Sequence, residues 1–145
     1  MNQSVQNRKA RYNYFFLEKF EAGIELRGSE IKSLRNGRVD IAESFAREVD
    51  NEIYLINSYF AKYSNSSYLN HEENRHRKLL LHKKEIRKIV GKLNKDSLTL
   101  IPIQIYFNKR GLAKVELALS KGKKNYDKRE SKKKKSWERE KRNIK

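Results

Sequence analysis

The sequence contains no cysteine. That excludes disulfides, Cys-ligated zinc and thiol nucleophiles, and it fits a reducing compartment. Long apolar runs are also missing. The longest candidate, Leu98 to Phe107, is interrupted by Pro102 and Gln104, so no segment reaches the length of a membrane span and no membrane partner is expected. The first eleven residues, MNQSVQNRKAR, hold no apolar core of a signal peptide. A cytoplasmic address is the resulting expectation. No phosphate-binding Walker sequence, dinucleotide fingerprint or nucleophile elbow occurs. Negative charge is scarce: 18 Asp and Glu stand against 35 Lys and Arg, a formal net charge of +17.

The positive charge is concentrated at the C-terminal end. Residues Ser120 to Lys145 carry 13 Lys or Arg against 4 Asp or Glu, a net +9. So dense a block of like charge cannot bury a core and repels itself when free. It needs a polyanion, and nucleic acid is the commonest soluble one. The preceding residues, 22 Lys or Arg against 14 Asp or Glu, are enough for one modest core and are themselves basic. The reading is one folded unit over 1–121, with a basic tail over 122–145 that is disordered in the free protein.

Within the folded part, Tyr14, Phe16, Phe20, Ala22, Ile24 and Leu26 share one parity, with Lys19, Glu21, Glu25 and Arg27 opposite. Period two at this length predicts a long strand, and Glu18 and Gly23 predict a bulge or bend in it. Residues 1–11 read as polar and loose. Ser29 reads as the cap of a short helix with Ile31 and Leu34 inward, stopped at Asn36-Gly37. Phe45 to Val49 and Ile53 to Ile56 flank Asp50-Asn51-Glu52, a hairpin signal. Asn57 to Asn74, with Tyr59, Tyr63 and Tyr68, reads as a long exposed loop. A helix over His82 to Leu93 places Ile86, Ile89, Val90 and Leu93 on one face, with Lys84, Lys88, Lys92 and Lys95 opposite. A last hairpin alternates Ile101, Ile103, Ile105 and Phe107 with Ala113, Val115, Leu117 and Leu119 across a turn at Asn108 to Gly111. The pattern is mainly β: a small OB-like antiparallel Greek-key barrel of about six strands with two or three short helices. Fold alone assigns no function.

No catalytic centre emerges. His71, His76 and His82 lack ligand spacing, the carboxylates are scattered, and no cofactor is implied. The basic run is more informative: Arg75 to Lys95 holds nine Lys or Arg and one Glu. Flanked by Tyr63, Tyr68 and His76, it suits phosphates and splayed bases. The alternative is a set of solvated lysines that keep a helix soluble. Glu21, on the outer face of the first long strand, is open to two readings. It pairs with Lys19 or Arg27, or it accepts hydrogen bonds from base amino and imino groups.

The stretches Asn7-Arg8-Lys9-Ala10-Arg11, Phe20-Glu21-Ala22-Gly23-Ile24-Glu25-Leu26 and Gly28-Ser29-Glu30-Ile31-Lys32-Ser33-Leu34-Arg35-Asn36-Gly37 resemble the small protein B family of bacterial SsrA-binding (tmRNA-binding) proteins. So do Arg75-His76-Arg77-Lys78-Leu79-Leu80-Leu81-His82, Ile105-Tyr106-Phe107-Asn108, Gly111-Leu112-Ala113-Lys114-Val115-Glu116-Leu117 and Gly122-Lys123-Lys124-Asn125-Tyr126-Asp127-Lys128-Arg129. The resemblance covers nearly the whole chain in order. Ser29 and Asn125 depart from the usual choices.

The resemblance implies a non-enzymatic, monomeric barrel. It would bind the tRNA-like domain of tmRNA and deliver it to stalled bacterial ribosomes for trans-translation. It implies RNA contacts at Asn7, Glu21, Leu80 and Lys114, with phosphate contacts from Arg8, Arg11, Arg75, Arg77 and Lys78. It further implies a tail that orders as a helix in the small-subunit decoding site and message channel. Ribosome contacts would fall on Gly122, Lys123, Lys124, Tyr126, Asp127, Lys128 and Arg129, with Trp137 packing in the channel. Two rival readings are a structural rRNA-binding ribosomal protein and a metal-dependent nuclease, the second lacking a clustered carboxylate or His site.

Overall fold

The computed structural model describes residues 4–62 and 70–123. From Val5 onward the N-terminal segment is a strand and a helix rather than loose. β1 (Val5–Gln6) leads into α1 (Arg8–Asn13), because the Asn7 side chain accepts from the Ala10 N–H at 3.0 Å and caps the helix. β2 (Tyr14–Ile24) follows, and its register against the C-terminal strand slips between Phe16 and Glu18. The sequence places its break at the same residue. Phe20, Ala22 and Ile24 turn inward; Phe15, Leu17, Lys19 and Glu21 stay outside.

α2 (Gly28–Arg35) is capped at Arg27 rather than Ser29. Glu30 Oε1 accepts from the Arg27 N–H at 2.7 Å, the carboxylate half of a capping box. Ser29 lies inside the helix, buried, with Oγ 2.8 Å from His71 Nδ1. Gly37, at φ 68°, ends the helix as expected. β3 (Val39–Asp40), β4 (Phe45–Val49) and β5 (Glu52–Ile56) come next. The β4–β5 turn uses Asp50 and Asn51 at φ 51° and 66°, a left-handed pair that suits a twisted hairpin.

The described residues of Asn57–Asn74 are less open than their polarity suggests. β6 (Tyr59–Phe60) pairs with β3, and Ser58, Phe60, Ala61 and His71 are buried. Tyr63 and Tyr68 lie outside the described residues. β7 (Arg77–Leu80) is a strand inside what reads as a basic run. α3 (Lys83–Asp96) then covers the barrel with Ile86 and Ile89 buried, Val90 and Leu93 packed beside them, and Lys84, Lys88, Lys92 and Lys95 outside. Lys88 reaches Glu18 at 2.5 Å and so fastens α3 to the bulge in β2.

β8 (Thr99–Phe107) and β9 (Ala113–Gly122) form the last hairpin. Pairings run β8-β4-β5-β7-β2-β9 and return to β8, which closes a six-stranded antiparallel barrel. β1 adds to β8 beyond the reach of β4, so the main sheet has seven strands. This is the OB-like barrel anticipated from the sequence. Its interior holds Phe20, Leu55, Leu79, Ile105, Val115 and Leu117, and Leu34 joins the same cluster from α2. Among the described residues no helix is long and apolar enough to cross a membrane.

Candidate nucleic-acid interface

Strand register brings the outward residues of β7, β2, β9 and β8 into two parallel rows. Leu80 pairs with Gly23, Gly23 with Lys114, and Lys114 with Tyr106. One step along the strands, Glu21 pairs with Glu116, Glu116 with Gln104, and Gln104 with Gln6. The first row offers an apolar side chain, a cation and an aromatic ring. The second offers acceptors.

Leu80 is 49 % exposed, unlike an ordinary core leucine. Gly23 makes room for it, because a Cβ at Gly23 would lie 3.2 Å from Leu80 Cβ. Beside Leu80 opens a groove of about 480 Å3 lined by Glu21, Lys78, Leu80 and Lys114, with Glu52 and Glu85 on its rim. A second, more apolar cleft of about 220 Å3, walled by Leu26, Phe107 and Leu112, is bordered by the same leucine. Leu80 is therefore a ridge between two clefts, a shape on which a base can stack.

From Glu116 to Gln6 the acceptor row is hydrogen-bonded, and Arg11 closes it. Gln104 Nε2 donates to Glu116 Oε1 at 3.4 Å, Gln6 Nε2 donates to Gln104 Oε1 at 2.8 Å, and Arg11 donates to Gln6 Oε1 at 3.1 Å. Arg11 thus sits at the far end of the row that begins with Glu21. Glu21 itself takes the hydroxyl of Tyr106 as its donor, rather than Lys19 or Arg27. Burial, and then this hydrogen bond, push the Tyr106 phenol up to about 12.

The expected contact residues therefore divide. Glu21, Lys78, Leu80 and Lys114 share one groove, Arg11 closes the adjoining row, and Arg8 is exposed on α1. Arg75 is only partly exposed and holds Glu30 Oε1 at 2.6 Å. Two expected contacts are instead buried away from the groove. Arg77 is fully buried, its guanidinium 2.5 Å from Glu30 and 4.0 Å from the Phe60 ring centroid, so it cannot reach a phosphate. Asn7 is 1 % exposed; beyond its cap, Nδ2 donates to the carbonyls of Ile41 and Pro102 at 3.0 and 2.9 Å. Its side chain anchors the N-terminus and does not face the groove.

Gly122 and Lys123 lie elsewhere. Gly122 pairs with Tyr14, and Lys123 Nζ stands 4.7 Å from the Phe15 ring centroid. Eight residues separate Gly122 from Lys114, roughly 27 Å along β9 at the usual rise. Lys124, Tyr126, Asp127, Lys128, Arg129 and Trp137 lie outside the described residues. Tyr106, Glu116, Gln104 and Gln6 escaped the sequence reading. The alternation of the last hairpin marks the first three as outward, but only the register shows that they adjoin Glu21.

A closed β-barrel with a basic surface, an exposed apolar ridge and a row of base-compatible acceptors defines an RNA-binding barrel protein. The family model described as SmpB protein matches residues 4–145. The SsrA-binding protein of Rhizobium etli (strain CIAT 652) is 53 % identical over 137 residues, 94 % of this chain and 86 % of that protein. That of Orientia tsutsugamushi (strain Boryong) is 53 % identical over 136 residues, 94 % and 89 % of the two chains. A solved structure described as "tmRNA-SmpB: a journey to the center of the bacterial ribosome" superposes with a TM-score of 0.70 at 54 % identity, covering 83 % of this chain and 84 % of the other. The chain belongs to the SmpB protein family.

Proposed function

We propose that this protein binds the tRNA-like domain of tmRNA and delivers it to stalled bacterial ribosomes for trans-translation, in the cytoplasm and without catalysing a reaction. One observation carries the RNA contact: Glu21, Lys78, Leu80 and Lys114, from three different strands, line a single groove. Lys78 and Lys114 meet phosphates, Leu80 stacks under a base, and Glu21 accepts from base N–H groups. Arg8 and Arg11 extend the positive surface along the RNA.

Residues 122–145 serve the ribosome. β9 ends at Gly122, remote from the groove, so RNA held in the groove would leave the basic residues that follow available for a second polyanion. As a helix, the eighteen residues from Lys128 would span about 27 Å. rRNA phosphates would offset the cost of ordering them only inside an empty message channel.

Reconstituted translation on a message without a stop codon tests this division. Truncation after residue 121 is expected to leave binding to the tRNA-like domain within about threefold while abolishing tagging of the stalled peptide. Loss of both would make the tail a general RNA anchor, as in a structural rRNA-binding protein.

A further inference from the structure

A carboxylate on an exposed sheet face reads a base well only if its direction is fixed. Glu21 is fixed from an unexpected place. Tyr106 stands on β8, Glu21 on β2, and β9 runs between them. The Tyr106 ring crosses β9 beside Lys114, and its hydroxyl donates a hydrogen bond to Glu21 Oε2. A phenol held at about 12 stays a donor throughout the physiological range.

The neighbouring charges make the arrangement costly for the fold alone. Glu21 and Glu116 are direct cross-strand partners, and like charges in that relation destabilise a sheet. Each is held by a donor from β8: Tyr106 for Glu21 and Gln104 for Glu116. Gln104 is braced in turn by Gln6, and Gln6 by Arg11. Two adjacent carboxylates with set directions, beside Lys78 and Lys114, suit a ligand with both N–H donors and phosphates. A nucleotide base on its backbone has both.

We infer that Tyr106 is a positioning residue for RNA discrimination: its hydroxyl orients Glu21 toward the N–H donors of a base, while Lys78, Lys114 and Arg11 supply affinity common to any RNA. The inference rests on the proposed binding of the tRNA-like domain through this groove.

The test uses the full chain, with labelled tRNA-like domain competed by total tRNA, for wild type, Tyr106→Phe, Glu21→Gln and the double variant. Phenylalanine keeps the ring over β9 and removes only the donor. Tyr106→Phe is expected to lower the preference for the tRNA-like domain by about tenfold, the scale of one hydrogen bond to a charged group. The salt dependence of binding should not change, since no phosphate contact is lost. The double variant should discriminate no worse than Glu21→Gln alone, because the two side chains act as one unit. Undiminished preference in Tyr106→Phe, or losses that simply add in the double variant, would overturn the inference alone. An equal loss of affinity for both RNAs in Tyr106→Phe would also overturn it, marking a structural role. A wild type without preference would sink the RNA assignment itself, and the inference with it.

Discussion

Arg77 has no exposed surface, and the Glu30 carboxylate buried against it compensates its charge. The pair ties α2 to β7, while Arg77 also donates to carbonyls of Ser58, Arg75, Glu72 and Glu73. Burial alone would raise the Glu30 carboxyl. The Arg75 hydrogen bond, the Arg27 N–H and the charges of Arg77 and Arg75 outweigh it, so the folded pKa lies below the ordinary 4.5. A carboxylate depressed on folding stabilises fully above its unfolded pKa and loses that contribution as pH falls through the folded value. Stability should therefore hold above about pH 4.5 and fall below it. Glu30→Gln leaves Arg77 buried without its counter-charge and should cost about 3–5 kcal/mol at neutral pH in urea unfolding. A cost under about 1 kcal/mol would show that the pair does not hold α2 to β7. In the sequence Arg77 is indistinguishable from its exposed neighbours. The run Arg75 to His82 has no alternation to show that Arg77 turns inward with Leu79 while Lys78 and Leu80 turn out. Glu21 stood out on the outer face of its strand with its role left open, whereas Leu80 and Lys114 were singled out only through the family resemblance. Tyr106 needed the register.

Among the elements, those with strict periodicity were legible: β2 with its bulge, the β4–β5 hairpin, α3 and the β8–β9 hairpin. Elements held by single tertiary hydrogen bonds were not. Residues 1–11 are polar and read as loose, but Asn7 docks on the carbonyls of Ile41 and Pro102. Ser29 has the chemistry of a cap, yet His71 recruits it inside α2, and Glu30 does the capping instead. β7 is too short and too basic to announce itself, although it joins β5 to β2 and completes the barrel. Its pairing with β2 sets the groove, since Leu80 lies directly over Gly23. Gly23→Ala should push Leu80 outward by a few tenths of an ångström. The close contact is with Leu80 Cβ, so the β7 backbone must shift with it, and stability should fall by about 1 kcal/mol. Affinity for the tRNA-like domain should also fall severalfold in direct titration. Unchanged affinity would remove Leu80 from the interface.

At the scale of the whole molecule, the charge of +17 and the barrel answer different questions. Charge gives affinity for any RNA and a steep dependence on salt. In the proposed function the groove supplies discrimination, and the basic residues 122–145 are left for the ribosome. The composition made the first of these plain. The groove depended on how six strands close, which no local pattern states. The central claim is that the groove, and not the net charge, selects the RNA partner. Competition binding at near-physiological salt tests it most directly, with labelled tRNA-like domain of tmRNA against excess total tRNA and an rRNA fragment, for wild type and Glu21→Ala. The account predicts that wild type stays on the tRNA-like domain, whereas Glu21→Ala is displaced by the competitors although it carries one more net positive charge. Wild type displaced by any RNA, or Glu21→Ala discriminating as well as wild type, would contradict it.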